Sequence, residues 1–222
     1  MKKIALFIVV ILAAASCEKK AEYNQTLGLL SEYNILSADG GSTQVAVFSN
    51  TSWTVEMDRK VDWASIDRFS GTKSGYLVFD FDVNYGRARR VILVFHAGGE
   101  TRTLNMYQKG GISDSDCKLK LNSDALEAPA EGMSVIIPLE TNLWYNLDEM
   151  FLTLTYPGDD PETPWITLES VERDKINIVI APNETGVART ANMKLSHTDA
   201  GDYDSTEGDT IHSNTITVSQ TQ

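Results

Sequence analysis

An internal repeat constrains the fold of this chain more than any other feature. Five short segments of the first half recur in the same order in the second half. The first set is SNTSW (49–53), WASI (63–66), YLVFDFDVN (76–84), GRARRVILVF (86–95) and TLNMYQ (103–108). The second set is ETNLW (140–144), WITL (165–168), KINIVIAPN (175–183), GVARTANMKL (186–195) and TITVSQ (215–220). Self-similarity of this kind is the sequence signature of repeated structural units, so the order predicts two related domains in tandem.

The repeated segments have the pattern of β-strands. Leu77 and Phe79 alternate with Tyr76, Val78 and Asp80, which is the period-two pattern of a strand with one buried face. Glycine, asparagine and aspartate cluster at the joins, and no segment keeps a helical period over a useful length. Roughly seven strands in about 85 residues suit an immunoglobulin-like sandwich. The predicted fold class is therefore all-β, with two tandem immunoglobulin-like β-sandwich domains.

The domain boundary is predicted in the segment KGGISDSD (109–116). Paired glycines and alternating acids follow the last strand of the first repeat there, as is typical of an exposed linker. The first domain is assigned to residues 26–110 and the second to residues 111–222. Two acidic insertions, 155–164 and 196–213, enlarge the second domain.

The N-terminus has the layout of a secretion signal. Lys2 and Lys3 precede a continuous apolar stretch, which is followed by small residues. With about thirteen apolar residues, this stretch is shorter than the roughly twenty that a membrane-spanning helix needs. We therefore expect residues 1–16 to be removed as a signal peptide.

The segment AASC (14–17) resembles a lipobox, although Ala14 stands where leucine is commonest. We expect Cys17 to carry the lipid that anchors the mature protein to the membrane, with residues 17–25 as a polar tether. The alternative is a soluble secreted protein in which Cys17 lies inside an ordinary signal or pairs with Cys117. A thioether at Cys17 leaves Cys117 without a cysteine partner, as an idle or buried thiol.

The charge of the chain excludes one class of function, and its motifs argue against another. The sequence has 19 Lys and Arg against 31 Asp and Glu; without Lys2 and Lys3 the balance is 17 − 31 = −14. Nucleic acid would repel such a chain. The sequence contains no GxSxG, HExxH, CxxC, Walker or dinucleotide-binding motif, and no nucleophile accompanies His96, His197 or His212. We therefore expect a protein that is not an enzyme and has no cofactor.

At the level of motifs, the chain resembles the BACON family, whose name stands for Bacteroidetes-associated, carbohydrate-binding, often N-terminal. The carriers in the first copy are Gly40, Gly41, Ser42, Asn50, Trp53, Trp63, Gly71, Asn84, Arg89 and Gln108. A looser second copy has Trp144, Trp165, Asn183, Gly186, Arg189 and Gln220. The resemblance implies an immunoglobulin-like fold and an envelope or extracellular setting in Bacteroidetes. Sugar binding is implied for some members, whereas others act as spacers.

The repeat also separates structural aromatic residues from candidate ligand contacts. It aligns Trp53 with Trp144 and Trp63 with Trp165, so we expect all four indoles to pack between the sheets with their N–H groups hydrogen-bonded. By the same reasoning, Arg89 and Arg189 pair locally, while Gln108 and Gln220 tie the last strand to its neighbour.

Aromatic residues without a repeat partner are the better carbohydrate-binding candidates, because the apolar face of a pyranose stacks on an aromatic ring. They are Tyr76, Tyr85, Tyr145, Tyr156 and Tyr203. Each also has an ordinary alternative as a scattered surface aromatic.

The acidic insertion suggests two further sites. Its oxygen ligands, of the kind that calcium prefers, are Asp199, Asp202, Asp204, Glu207 and Asp209. Their spacing matches no calcium loop, so we expect a solvated hairpin tip and no metal site. The triplets DST (204–206) and DTI (209–211) resemble the Bacteroidetes O-glycosylation motif, which makes Ser205 and Thr210 candidate acceptors.

These features together predict a lipoprotein of the outer membrane that binds or presents a glycan. The alternative is a structural spacer, or an adhesion protein that contacts other envelope proteins and binds no glycan. Glu18, Lys19 and Lys20 depart from the acidic run that promotes surface display in this phylum, so the side of the membrane stays open. Of the two sides, we expect the cell surface rather than the periplasm.

Overall fold

The computed structural model describes residues 26–158, 164–205 and 207–222. The signal peptide 1–16, the lipidation site Cys17 and the tether 17–25 lie outside the described residues. Within the described ranges, no helix is both long enough and apolar enough to cross a membrane.

The first half of the chain forms two β-sheets. Its strands are β1 (Gly28–Leu29), β2 (Tyr33–Leu36), β3 (Gly41–Phe48), β4 (Trp53–Met57), β5 (Ala64–Ile66), β6 (Ser70–Gly71), β7 (Gly75–Phe81), β8 (Arg89–Ala97) and β9 (Glu100–Gln108). The four-stranded sheet has the order β1-β3-β7-β5, and the five-stranded sheet has the order β2-β9-β8-β4-β6. Strand β2 runs parallel to β9, whereas the other pairs are antiparallel.

The second half repeats this arrangement. Its strands are β10 (Leu119–Leu121), β11 (Ala125–Ala128), β12 (Met133–Thr141), β13 (Met150–Thr155), β14 (Ile166–Val171), β15 (Lys175–Ile180), β16 (Arg189–Thr198), β17 (Thr210–His212) and β18 (Ile216–Gln220). Single 3₁₀ turns lie at Asp114–Asp116 and Leu147–Glu149. The sheets have the orders β10-β12-β15-β14 and β11-β18-β16-β13, and β17 also pairs with β16. Strand β11 runs parallel to β18, as β2 does to β9.

Each half encloses its own hydrophobic core between its two sheets. In β7, Leu77 and Phe79 are fully buried while Tyr76 faces solvent, so the alternation read from the sequence is the alternation of the strand. Ile176 and Ile178 play the corresponding part in β15. The two cores are separate clusters. The predicted all-β fold of two immunoglobulin-like sandwiches is confirmed.

A half-buried arginine pairs with a buried glutamine in each sandwich. The Nε of Arg89 donates to Oε1 of Gln108 at 2.8 Å, and the Nε of Arg189 donates to Oε1 of Gln220 at 2.8 Å. Each glutamine amide then donates to two main-chain carbonyls, those of Ser37 and Asp82 in the first sandwich and those of Pro129 and Ala181 in the second. The prediction that these residues pair locally and tie the last strand to its neighbours is confirmed.

One of the two tryptophan correspondences also holds in the structure. The guanidinium carbon of Arg89 lies 4.3 Å from the ring centroid of Trp63, and that of Arg189 lies 4.4 Å from the centroid of Trp165. Both are cation–π contacts. Trp63 and Trp165 therefore have the same structural role in the two copies.

The correspondence of Trp53 with Trp144 was wrong. Trp53 is 2% exposed and lies opposite Ala97 in the β4–β8 pair. Strands β8 and β16 begin at equivalent arginines, and the residue at the matching position of β13 is Met150, opposite His197. Trp144 lies in the loop before β13 and is 47% exposed, so the expectation that it packs between the sheets was also wrong. A buried methionine fills the place of the indole in the second copy.

Candidate functional site

The segment that joins the two sandwiches packs closely against a turn of the first one. The amides of Gly111 and Ile112 donate to the carbonyls of Asn84 and Gly86, each at 3.1 Å. A Cβ atom on Gly110 would lie 2.6 Å from the carbonyl oxygen of Gly86. The paired glycines of the linker thus allow two stretches of backbone to approach each other, and they hold the linker against the turn.

The turn presents Arg87, whose side chain is fully buried between the two sandwiches. Its guanidinium donates to the carbonyl of His197 at 3.0 Å, to the ring Nδ1 of the same residue at 3.0 Å, and to the carbonyl of Asp209 at 3.0 Å. It also pairs with the carboxylates of Asp114 at 2.8 Å and Asp199 at 3.3 Å. A buried charge is tolerated only when it is paired and hydrogen-bonded, and here the second domain and the linker supply those partners.

The hydrogen bonds of Arg87 determine the tautomer of His197, which is itself fully buried. A guanidinium can only donate, so Nδ1 of His197 accepts and Nε2 carries the proton. This Nε2–H group donates to the Glu149 carboxylate at 3.2 Å. The hydrogen bond from His197 lowers the pKa of Glu149 below the ordinary value of a glutamate.

Further hydrogen bonds join the acidic insertion of the second domain to the first domain. The amide of Ala200 donates to the carbonyl of Ala88 at 3.0 Å, and the side-chain amide of Asn105 donates to the carbonyl of Tyr203 at 2.8 Å. Four of the five acidic residues are exposed, as expected of a solvated hairpin tip: Asp202, Asp204, Glu207 and Asp209. The side chain of Asp199, at the base of the loop, is only 6% exposed. Over the described ranges, no group of three or more His, Cys, Asp and Glu side chains is placed to hold a metal ion.

The structure brings together two of the candidate tyrosines. The ring centroids of Tyr85, from the first domain, and Tyr145, from the second, lie 4.9 Å apart at an interplanar angle of 30°. Both side chains are exposed. Tyr76 is also exposed but projects from the four-stranded sheet, whereas Tyr156 is half-buried against Trp165 and the second core.

The remaining candidate, Tyr203, forms a second aromatic pair across the domain junction. Its ring centroid lies 4.7 Å from that of Tyr33 and 6.5 Å from that of Tyr107, both in the first domain. Sequence reasoning missed Tyr33, which precedes the first repeated segment.

A groove of about 890 Å³ runs along this second pair. One wall is the segment 27–33, the floor is the outer face of β8 and β9, and the other wall is the loop 203–205. The groove is lined by side chains that can contact a sugar. They are the aromatic rings of Tyr33 and Tyr203 and the polar groups of Glu32, Asp58, Arg59, Arg90, Arg102, Asn105 and Asp204. A groove that combines aromatic faces with convergent polar groups is the usual form of a small-ligand site.

Sequence reasoning also missed Arg87, although one signal could have identified it. The corresponding residue of the second copy is Val187, which is 66% exposed. A charged residue in one copy and an apolar residue in the other indicates a position that the sandwich itself does not require. Such positions are candidates for contacts outside the repeat.

The candidate glycosylation acceptors differ in accessibility. Ser205 is half-buried, and its hydroxyl donates to the carbonyl of Glu207 at 3.0 Å. Thr210 is exposed in β17, with its hydroxyl 2.6 Å from that of Thr198. Thr206, which completes the first triplet, lies outside the described residues.

Cys117 is a free, half-buried thiol in the described part of the chain. Its sulfur lies 3.4 Å from the carbonyl oxygen of Ser113. Burial raises the pKa of this thiol, which lowers its thiolate fraction and therefore its reactivity.

Residues 156–221 match the model of the BACON family, described as "Putative binding domain, N-terminal". This confirms the recognition of a BACON domain for that stretch, which lies in the half with the looser copy of the motif. No curated protein matches the chain.

Among solved structures, a Bacteroides ovatus GH5 xyloglucanase in complex with a heptasaccharide is similar over 47% of this chain and 27% of its own, with 12% identity and a TM-score of 0.35. The chain thus spans about a quarter of the length of that enzyme. A titin immunoglobulin tandem is similar over 87% of this chain and 97% of its own, with 4% identity and a TM-score of 0.30. An NMR structure of a Bacteroides thetaiotaomicron protein covers 50% and 94%, with 15% identity and a TM-score of 0.28.

Proposed function

We propose that this chain, which carries a BACON domain over residues 156–221, is a non-enzymatic lipoprotein of the cell envelope that binds carbohydrate between its two sandwiches. One observation carries the proposal. The rings of Tyr33 and Tyr203 come from different domains and lie 4.7 Å apart along a groove of about 890 Å³. The description of the family as a binding domain agrees with this proposal.

The groove would bind a sugar through two kinds of contact. The C–H groups on one face of a pyranose ring stack on the tyrosine rings, which cost little conformational entropy to immobilise. The hydroxyl groups of the sugar accept hydrogen bonds from planar donors such as Arg102, and they donate to the carboxylates of Glu32 and Asp204, which line the same groove. The pair of Tyr85 and Tyr145 offers a second aromatic surface for a longer chain.

Replacing Tyr203 by alanine is expected to weaken glycan binding. Truncation of an aromatic anchor costs ~2 kcal/mol, which is about thirtyfold in Kd. Isothermal titration of the mature protein with the best ligand from a panel of plant and host polysaccharides measures this change. The matched control is Tyr76→Ala, because Tyr76 is equally a surface tyrosine but lies on the opposite sheet of the first sandwich. Equal losses in the two variants would exclude the groove as the site.

The second candidate function is a spacer or adhesion protein, and the domain junction favours it. Arg87 is buried and pairs with Asp114 and Asp199, so the two sandwiches are held in one mutual orientation, as a rigid spacer requires. If no polysaccharide in the panel binds and Tyr203→Ala has no effect on adhesion either, the spacer is the better description.

We further propose that Cys17 anchors the protein to the outer membrane and that the domains face the cell exterior. Two or more acyl chains make such an anchor stable, at about 0.8 kcal/mol per buried methylene. We expect Cys17→Ser to shift the protein from the membrane fraction to the soluble fraction, and Cys117→Ser to leave it in the membrane. Digestion of the wild-type protein by protease added to intact cells tests the outward orientation. Protection from protease until the cells are lysed would place the domains in the periplasm.

A further inference from the structure

We infer that the groove binds acidic sugars, with the carboxylate or sulfate group of the sugar bound by Arg59 close to Arg90, whose own Nη1 donates to the carbonyl of Ser205; this rests on the proposed carbohydrate function. Arg59 and Arg90 line both the main groove and an adjoining cleft of about 280 Å³. They therefore stand at the point where the two cavities meet.

The groove is rich in positive charge for this chain. Arg59, Arg90 and Arg102 equal in number the groove's three carboxylates, those of Glu32, Asp58 and Asp204, whereas the whole chain has 19 basic residues against 31 acidic ones. Arg102 also pairs with Glu100, which lies outside the groove lining. One of those carboxylates, that of Asp58, also accepts a hydrogen bond from the main-chain amide of Ile92 at 2.7 Å. The electrostatic potential at the groove is therefore less negative than the potential over the surface as a whole, and it repels an anion less.

Arg59 differs from the other arginines that lie near carboxylates. Arg68, Arg87 and Arg102 each form an ion pair, but Arg59 pairs with no carboxylate of the described residues. Its side chain is exposed, and its Nη2 donates to the main-chain carbonyl of Arg90. This bond orients the guanidinium and leaves most of its donors for a ligand.

The adjoining cleft supplies further positive charge and an aromatic wall. Arg89 lines it and lies over the ring of Trp63. The two carboxylates on the opposite wall already have partners, because Glu149 accepts from His197 and Asp199 pairs with Arg87. The cleft nevertheless has more cationic than anionic side chains, with Arg59, Arg89 and Arg90 against Glu149 and Asp199. The charge of Asp199 is further offset by Arg87, whereas Glu149 keeps its charge and attracts Arg59 and Arg89.

The shape of the guanidinium explains why it suits such a group. Its planar fork of N–H donors matches two oxygens of a carboxylate or a sulfate, and these charge-assisted bonds are about twice as strong as neutral ones. The sugar ring would lie against Tyr33 and Tyr203, and the anionic group would point toward Arg59.

The test compares three probes of equal length, an oligogalacturonate, a sulfated galactan and a neutral galactan, on the mature protein. We expect at least one acidic probe to bind more tightly than the neutral one and to weaken as NaCl concentration rises. Arg59→Gln should weaken that binding about tenfold. Arg68→Gln removes the same charge from an exposed site outside the groove and should leave the binding of the acidic probe unchanged. Arg59→Lys keeps the charge without the fork and should lie between the two.

The outcomes separate this inference from the proposed function. A preference for the sulfated galactan or for the oligogalacturonate identifies the anionic group, and either one supports the inference when it depends on Arg59. Equal losses in Arg59→Gln and Arg68→Gln, or equal affinity for the neutral probe, overturn it. If the neutral galactan binds through Tyr203 while the acidic probes do not bind, the carbohydrate function stands and the acidic class is wrong. If no glycan binds, both the proposed carbohydrate function and the inference of an acidic sugar are wrong.

Discussion

Replacing Arg87 by methionine is expected to destabilise the junction of the two domains by about 3–5 kcal/mol. The substitution removes the only cation that pairs with Asp199 in the described residues, and it leaves that carboxylate buried without a countercharge. It also removes the donors to the carbonyls of His197 and Asp209. Methionine is unbranched and fits the space of the arginine stem, so the loss comes from the polar contacts and not from a cavity.

Urea unfolding followed by tryptophan fluorescence, together with limited proteolysis of the linker 109–116, measures this effect. We expect the wild-type linker to resist cleavage and the variant linker to be cut, because the amides of residues 111 and 112 are bonded to the turn that carries Arg87. Arg68→Met is the control, since an exposed ion pair contributes ~0–1 kcal/mol. Equal proteolysis rates in the two variants would show that the contacts of Arg87 do not hold the junction together.

Trp53→Ala is expected to lower the free energy of unfolding of the first sandwich by about 3–5 kcal/mol. The indole packs at 6.2 Å between ring centroids from Phe95, and its Nε1–H group donates to the carbonyl of Lys73 at 2.9 Å. Gly71 lies flat against the ring, since a Cβ there would be 2.5 Å from it. The truncation would therefore leave both a cavity and an unpaired carbonyl.

The matched comparison is Trp144→Ala, which removes the same side chain from the position that the sequence repeat aligned with Trp53. Trp144 is half-exposed and contacts Arg173 through a cation–π interaction at 4.2 Å, so we expect a loss of about 0.5–1 kcal/mol. Thermal and urea unfolding of both variants provide the measurement. Similar losses in the two would restore the equivalence that the strand register contradicts.

The sequence predicted those parts of the fold that depend on local patterns. The alternation around Leu77 and Phe79 is a property of one strand, and it was read correctly because each side chain's face follows from its own position. The arginine–glutamine pairs were also predictable, since Arg89 and Arg189 stand at the same place in both copies. Trp53 and Trp144 were misaligned because a short motif that ends in tryptophan does not reveal which residue enters the strand. Only the pairing of β13 with β16 shows that this residue is Met150.

The candidate site was predicted only in part, because its contacts join residues that are far apart in the chain. Tyr85, Tyr145 and Tyr203 were among the candidates, but the sequence did not indicate which residue each one contacts in the other domain, and Tyr33 was missed. Arg87 and His197 are separated by 110 residues. No periodicity or motif in one copy of the repeat contains information on such a contact. The same distance explains why the burial of Asp199 at the base of the acidic loop was not expected.

The turn that carries Arg87 has a consequence for how the two copies can be separated. A fragment with the first sandwich alone would expose the guanidinium to water, and a fragment with the second alone would keep Asp199 without its cation. Each fragment would also lack one side of the groove, so an assay on excised halves would not test the proposed site. The two copies differ at this position, with Arg87 in the first and Val187 in the second. The two halves have thereby become interdependent, and in any chimera they would have to be moved as a pair.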